Sequence, residues 1–157
     1  MGDLVVIAAT EKDRAAFVAS VDGLFHEDAA AHDPYGDPEW AARGGGAYFT
    51  DLLTDPRAVP LLARDGDRAV GHLVGRVYEP DTLRPGTCVA VLESMRVDPA
   101  SRGRGVGGRL VGAFFDWARE HGAVRAGVTA YAANGRAQRF YARHGFEPAS
   151  VTLRAAL

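Results

Sequence analysis

Apolar and polar positions along this chain follow two rhythms, a period near two that marks strands and a period near 3.6 that marks helices. Leu4 to Ala8 is a short apolar run suited to a first strand. Thr10 follows as a helix N-cap, with Glu11 and Asp13 in the first turn, where free backbone N–H groups and the helix dipole favour them. Ala16, Phe17, Val21, Leu24 and Phe25 share one helical face and predict a helix over about residues 12–30. Pro34, Gly36 and Pro38 then break the chain. Pro38-Glu39 starts a second helical piece, interrupted or ended near Gly44-Gly45-Gly46 and resumed through Tyr48, Phe49, Leu52 and Leu53. Residues 34–49 mix Tyr35, Trp40, Tyr48 and Phe49 with glycine and acid. They read either as a mobile lid carrying aromatic groups or as an irregular helix–helix connection whose aromatics are core.

Val59 to Arg64, the turn Asp65-Gly66-Asp67 and Ala69 to Tyr78 predict a hairpin. Glu79 to Gly86 is a loop leading into a strand from Val89 to Val97, which Asp98-Pro99 stops. Val106, Leu110, Phe114 and Trp117 then recur at helical spacing, and Val124 to Tyr131 forms a further strand. Asn134 caps a helix over about residues 135–144, Gly145 supplies its left-handed stop, and Val151 to Leu157 predicts one more strand. This order gives an α/β domain with a single mixed sheet flanked by helices. At 157 residues it is one domain, residues 1–157, with one well-buried core.

Gly103, Gly105, Gly107 and Gly108 lie between a strand and a helix. Unpaired backbone N–H groups and a positive dipole make such a place suited to a phosphate, and Arg102 and Arg104 add charge. The spacing satisfies G-x-G-x-x-G, but the next strand, Val124 to Tyr131, carries no acid to hold a ribose. A P-loop requires Gly-Lys-Ser/Thr, and here Gly107 is followed by Gly108 and Arg109. Glycines that merely turn the chain are the remaining reading of the residues alone.

The segment RGRGVG, Arg102 to Gly107, resembles the R/Q-x-x-G-x-G/A acyl-coenzyme A signature of the GNAT N-acetyltransferases. A second block, NGRAQRFYARHGF from Asn134 to Phe146, is similar to that family's N-x-x-A-x-x-F-Y-x-x-x-G-F segment. The resemblance implies a mixed, mostly antiparallel sheet in which the central strand and the next one splay apart. The pantetheine arm of acetyl-CoA would enter the gap and pair with the backbone of Met95 to Val97. It also implies that Arg102, Gly103, Arg104, Gly105, Val106, Gly107 and Gly108 hold the phosphates, that Asn134 caps the last helix and contacts the cofactor, and that Tyr141 protonates the departing thiolate.

Glu93 is the candidate base, because it falls on the alternating face of Val89, Val91, Met95 and Val97, where an apolar setting raises a carboxylate's pKa. A bulge turning it to solvent, or pairing with an arginine, is the competing reading. A backbone N–H near Val97 would stabilise the oxyanion. Glu27, Asp28, Asp33, Asp37 and Glu39 in the first half either attract a cationic amine or form a solvated helix end.

Composition narrows the rest. Apolar residues are 47% and charged residues 24%, which is globular, and a net charge of −2 argues against a nucleic-acid surface. A lone Cys88 excludes an internal disulfide and fits a reducing cytoplasm. No apolar run approaches membrane-spanning length, and the first ten residues lack the pattern of a secretory signal. His26, Glu27, His32 and Asp33 suggest a metal, but the histidines are six apart on different helix faces, so no metal is expected. The expected activity is transfer of an acetyl group from acetyl-CoA to an amine of a small molecule or protein, by direct attack in a ternary complex. A non-catalytic acyl-CoA-binding regulatory module is the alternative. Association through strands or the aromatic first half would give a homodimer, with a monomer as the other outcome.

Overall fold

The structure, a computed structural model, describes residues 2–157, the side chains of Ala29 and Ala30 apart. Strands β1 (Leu4–Ala8), β2 (Ala58–Asp65), β3 (Arg68–Tyr78), β4 (Val89–Val97) and β5 (Arg125–Val128) form one sheet in sequential order. The first four pair antiparallel, and β5 runs parallel to β4. Asp65 pairs with Arg68 across a two-residue turn in which Gly66 has a φ of 61°, a left-handed conformation that costs glycine little.

Helix α1 (Arg14–Leu24) follows a 3-10 turn at Glu11–Asp13. The chain then widens into a π-helical segment, Phe25–Ala29, before the single turn α2 (Ala30–His32). The one helix expected over residues 12–30 therefore changes pitch three times, and the π segment re-aims the side chains that follow it. Helix α3 (Trp40–Thr54) runs unbroken through Gly44, Gly45 and Gly46, contrary to the interruption expected there. A Cβ on Gly45 would lie 3.0 Å from Val18 Cγ1, and one on Gly44 would lie 3.0 Å from the Trp40 indole nitrogen. Packing against α1 explains why small residues stand in this helix, and it offsets their poor helix propensity.

Helices α4 (Val106–Glu120) and α5 (Gly135–Arg143) complete the fold. Leu110, Val111 and Phe114 of α4 pack on Leu73, Ala90 and Leu92 on one face of the sheet. Phe17 and Val21 of α1 with Phe49 and Leu52 of α3 pack on Leu62 and Val74 on the other. Phe17, Phe49, Leu110 and Phe114 are fully buried, each worth roughly 1.5–3 kcal/mol over exposure.

Two strand expectations fail. The strand expected over Val124–Tyr131 is confined to Arg125–Val128. Val151–Leu157 forms no strand at all, and Val151 and Leu153 are exposed. The alternation of that tail is strand-like, but a strand exists only where a neighbour accepts its hydrogen bonds.

A Cβ on Gly75 of β3 would meet the Phe114 ring at 2.6 Å. Gly75→Ala should therefore destabilise the fold by about 1–3 kcal/mol through overpacking, read as a lowered urea midpoint at unchanged slope.

Candidate functional site

The geometry of the site starts from one extra residue in β4. Val74 of β3 pairs with Ser94, but its neighbour Gly75 pairs with Leu92, so Glu93 is a β-bulge. A bulge bends its strand and shifts the alternation of faces by one. Before it, Ala90 and Leu92 face α4; after it, Met95 and Val97 do, and both pack on that core cluster. Ser94 and Arg96 point to the α1 side, where Ser94 meets His72.

The expected placement of Glu93 on one stripe with Val89, Val91, Met95 and Val97 is corrected accordingly. Glu93 shares the side of Val89 and Val91 only. Its Oε1 accepts hydrogen bonds from Arg76 Nε (2.8 Å) and the Tyr78 hydroxyl (2.9 Å). Arg76 is also paired with Asp55. The competing reading of a bulge and an arginine pair is the one found, with the polar Arg76 and Tyr78 standing on β3 opposite Val91 and Val89.

The β4–β5 ladder covers only Val89↔Arg125 to Leu92↔Val128. Beyond Leu92 the strands separate, and Ser94 to Val97 line a cleft whose other wall is Thr129 to Tyr131 and α5. The backbone of Met95 and Val97 therefore lies along a gap between two parallel strands.

The glycine turn closes one end of this cleft. Gly103 and Gly105 have φ of 77° and 80°, and a Cβ on either would meet nothing within 4 Å. Gly105 is the N-cap of α4, so the N–H groups that follow have no partner within the helix, and Gly105 to Gly108 line the cleft. Gly107 and Gly108 serve packing instead. A Cβ on Gly107 would lie 2.9 Å from the Phe140 ring and 3.0 Å from Met95, and one on Gly108 would lie 3.0 Å from His144. The side chain of Val106 is buried in the core, which leaves its backbone for the cleft.

The arginines of the turn are engaged by the protein. Arg102 donates from Nε to the Val97 carbonyl (2.9 Å) and from Nη2 to Glu27 (2.7 Å), and Arg104 donates to Asp65 (3.0 Å). Arg96 donates to the other oxygen of Glu27 (2.8 Å) and to Asp98 (3.1 Å). Glu27 thus ties the π segment both to the end of β4 and to the glycine turn. Burial opposes its charge, but the hydrogen bonds and charges of Arg96 and Arg102 outweigh burial and hold the carboxyl below its usual range. This bridge could not be read from the sequence, since Glu27 and Arg102 are 75 residues apart.

Asn134 accepts from the Ala137 N–H (3.1 Å), capping α5 as expected, and its Nδ2 donates to Asp28 (3.1 Å). Tyr141 packs edge-on against Phe140 and Phe146. Burial, with the Asp28 charge adding to it, pushes its phenol up to about 12. Cys88 is half-buried, its thiol 3.8 Å from the His121 carbonyl. His26 bonds Asp22 and lies 3.4 Å from Glu39, while His32 lies 3.7 Å from Asp28 and stacks on Tyr131. Among the described residues no group of three or more His, Cys, Asp or Glu is arranged to hold a metal.

A gap between parallel strands, running to a helix N-terminus with left-handed glycines, fits a long extended ligand that carries amides along its length and an anionic end. The family comparison agrees: residues 21–146 match the model of the acetyltransferase (GNAT) family, and the chain belongs to that family. An uncharacterised N-acetyltransferase of Mycobacterium tuberculosis is 33% identical over 101 residues, which cover 64% of this chain and 60% of that protein. The chain thus spans less than two thirds of the length of this relative. Two solved structures share the fold at 16% identity. Aminoglycoside N-acetyltransferase AAC(6')-Iy, in complex with CoA, superposes with a TM-score of 0.80 over 100% of this chain and 96% of its own. The BH1408 protein of Bacillus halodurans does so with 0.81 over 98% and 99%.

Beneath Ser94 lies a buried relay that sequence reading did not single out. Ser20 Oγ is 2.6 Å from His72 Nδ1, and His72 Nε2 is 2.8 Å from Ser94 Oγ. Burial, aided by the Arg96 charge, lowers the His72 pKa to about 3. His72 is therefore a neutral ring that orients two hydroxyls, not a base.

Its pKa makes a stability prediction. Between about 6.5 and about 3 the unfolded chain binds a proton that the folded ring refuses, so stability falls as pH drops, at up to about 1.4 kcal/mol per unit. Above about 6.5 the contribution is constant. His72→Asn should flatten this slope in urea titrations at stepped pH, and an equal slope in both proteins would contradict the assignment.

Proposed function

We propose that this protein is an N-acetyltransferase that moves the acetyl group of acetyl-CoA onto a primary amine by direct attack within a ternary complex. The observation that carries this reading is the parting of β4 from β5 after Leu92, in line with the open N-terminus of α4. Acetyl-CoA supplies the activated acetyl group as a thioester. The backbone of Met95 and Val97 would pair with the amides of its arm, and the N–H groups from Gly103 to Gly108 would meet its phosphates. Arg102 and Arg104 set the positive field at that end while held in their ion pairs. Asn134, fixed as the cap of α5, presents its amide from the opposite wall. The acceptor end lies on the far side of β4, among residues of α1, the π segment and α3.

An ordinary alkylammonium, with a pKa of about 10.4, costs roughly 4–5 kcal/mol to hold neutral at pH 7. Both hydrogen bonds to Glu93 fall on Oε1. Its Oε2 is the atom we assign as proton acceptor, directly or through one water. An N–H of β4 near Val97 would stabilise the charge developing on the acetyl oxygen.

Tyr141 is assigned to the departing sulfur. With the phenol near 12 and a thiol near 8.5, full transfer from Tyr141 would be uphill by about 5 kcal/mol. Its role is therefore to donate a hydrogen bond to the thiolate as the carbon–sulfur bond breaks. The proton that ends on sulfur is the second one the amine loses as the amide forms, so each product carries its proper count. A reducing cytoplasm suits the lone thiol, and the open outer edge of β5 offers strand pairing for the association of two copies.

Calorimetric titration with acetyl-CoA, coenzyme A and NADH should show binding of the first two only. Gly105→Glu should abolish that binding through charge and through the strain of a side chain at a φ of 80°; retained affinity would refute the loop assignment. Tyr141→Phe should lower turnover by about 10²-fold with coenzyme A affinity nearly intact. Unchanged turnover would exclude the donor role, and a protein that binds acetyl-CoA but acetylates no amine would be the non-catalytic module.

A further inference from the structure

The acceptor side of the cleft has a wall that its charges do not explain. Phe25, at the start of the π segment, stacks on Trp40 with centroids 5.1 Å apart and planes at 27°. Trp40 meets Tyr48 edge-on at 5.6 Å. All three line the cleft, together with Val91 and Glu93 of β4. Gly44 lets the indole lie down on α3, since a Cβ there would touch it. Burial, with the charge of Glu93 adding to it, pushes the Tyr48 phenol up to about 12.

The acids on this side are mostly engaged. Glu27 is held between Arg96 and Arg102, and Asp28 accepts from Asn134. Asp33 accepts the Tyr35 backbone N–H, Asp37 pairs with Arg43, and Glu39 lies against His26. Glu93, at the β4 bulge, keeps an oxygen, Oε2, that accepts no hydrogen bond among the described residues, as Asp28 and Asp33 do at Oδ2 nearer the π segment. The Glu93 oxygen, in a cleft also lined by three packed aromatic rings, suits an ammonium on an apolar body. A polycation would extend past this oxygen toward Arg96 and Arg102, which line the same cleft and repel it.

We propose that the acceptor is a monoamine with an aromatic or compact apolar body, its ammonium at Glu93 and Ser94 and its body against Phe25, Trp40 and Tyr48. This rests on the acetyl-transfer reading but makes its own binding claim. A ring stacked on Trp40 gains apolar and π contact, and the alkylammonium, held at Glu93 and Ser94, does not depend on the indole. Ser94, oriented by neutral His72, offers the amine a fixed hydroxyl.

The test measures binding and turnover separately. Calorimetry in saturating coenzyme A would compare 2-phenylethylamine, ethylamine, 2-phenylethanol and the polyamine sisomicin. Release of coenzyme A thiol from acetyl-CoA would follow turnover of the three amines. The expected result is that 2-phenylethylamine binds at least about 10-fold tighter than ethylamine or sisomicin, the contrast one buried ring produces. Trp40→Leu, which keeps apolar volume but removes the ring, should erase most of that preference while changing ethylamine affinity less than about twofold. Glu93→Gln should weaken 2-phenylethylamine but leave 2-phenylethanol unchanged, so the claim survives even if one variant fails to fold. Preference for sisomicin, equal binding of 2-phenylethylamine and ethylamine, or a Trp40→Leu effect of the same size on both would overturn it. Failure of the acetyl-transfer reading looks different: 2-phenylethylamine would bind with the stated preference while no amine released thiol.

Discussion

An antiparallel ladder admits no odd residue without a bend, and β4 contains one at Glu93. From that single insertion the arrangement of the site follows. The bend carries β4 away from β5, whose pairing ends at Leu92, and opens the gap that a ligand chain can enter. The shift of face sends Met95 and Val97 to the α4 side and Ser94 and Arg96 to the α1 side. One strand thereby serves two chambers, one ending at the glycine turn and one at the aromatic wall.

The chambers are joined by charge. Arg96 is largely buried, with its side chain 13% exposed, and a guanidinium in that position requires a partner. Glu27 and Asp98 both serve, and the second oxygen of Glu27 holds Arg102 at the mouth of the glycine turn. The Gly23 backbone makes the approach feasible, since a Cβ there would sit 2.5 Å from the Arg96 guanidinium carbon. Glu27 belongs to the π segment that carries Phe25, so the glycine turn and the aromatic wall share one ion-pair hub.

Rigidity at the floor of the cleft comes from buried polarity. His72 sits fully buried between Ser20 and Ser94, with Phe17 edge-on to its ring. Kept neutral by burial, it can donate at one nitrogen and accept at the other, so each serine hydroxyl has a defined direction. On the opposite wall, Tyr141 is held by Phe140 and Phe146, and Phe140 in turn presses on Gly107. The α4–α5 contact thus fixes the phenol relative to the glycine turn.

What the sequence determined by itself is what depends on neighbours along the chain. The hairpin at Gly66, the left-handed Gly103 and Gly105, the Asn134 cap and the helical face of Leu110 and Phe114 are local matters of φ, hydrogen bonding and periodicity. The two family blocks were legible for the same reason, since each is a contiguous run. Tertiary structure decided the rest. The bulge at Glu93 is a mismatch between two strands, and neither strand contains it alone. The glycines of α3 read as a break until α1 lies against Gly45. The alternating tail from Val151 reads as a strand, yet no neighbour pairs with it. The ion pair of Arg102 with Glu27, 75 residues away, is legible in neither segment alone. Period and propensity are properties of a segment, whereas pairing, register and the partner of a buried charge are properties of two segments that only folding brings together.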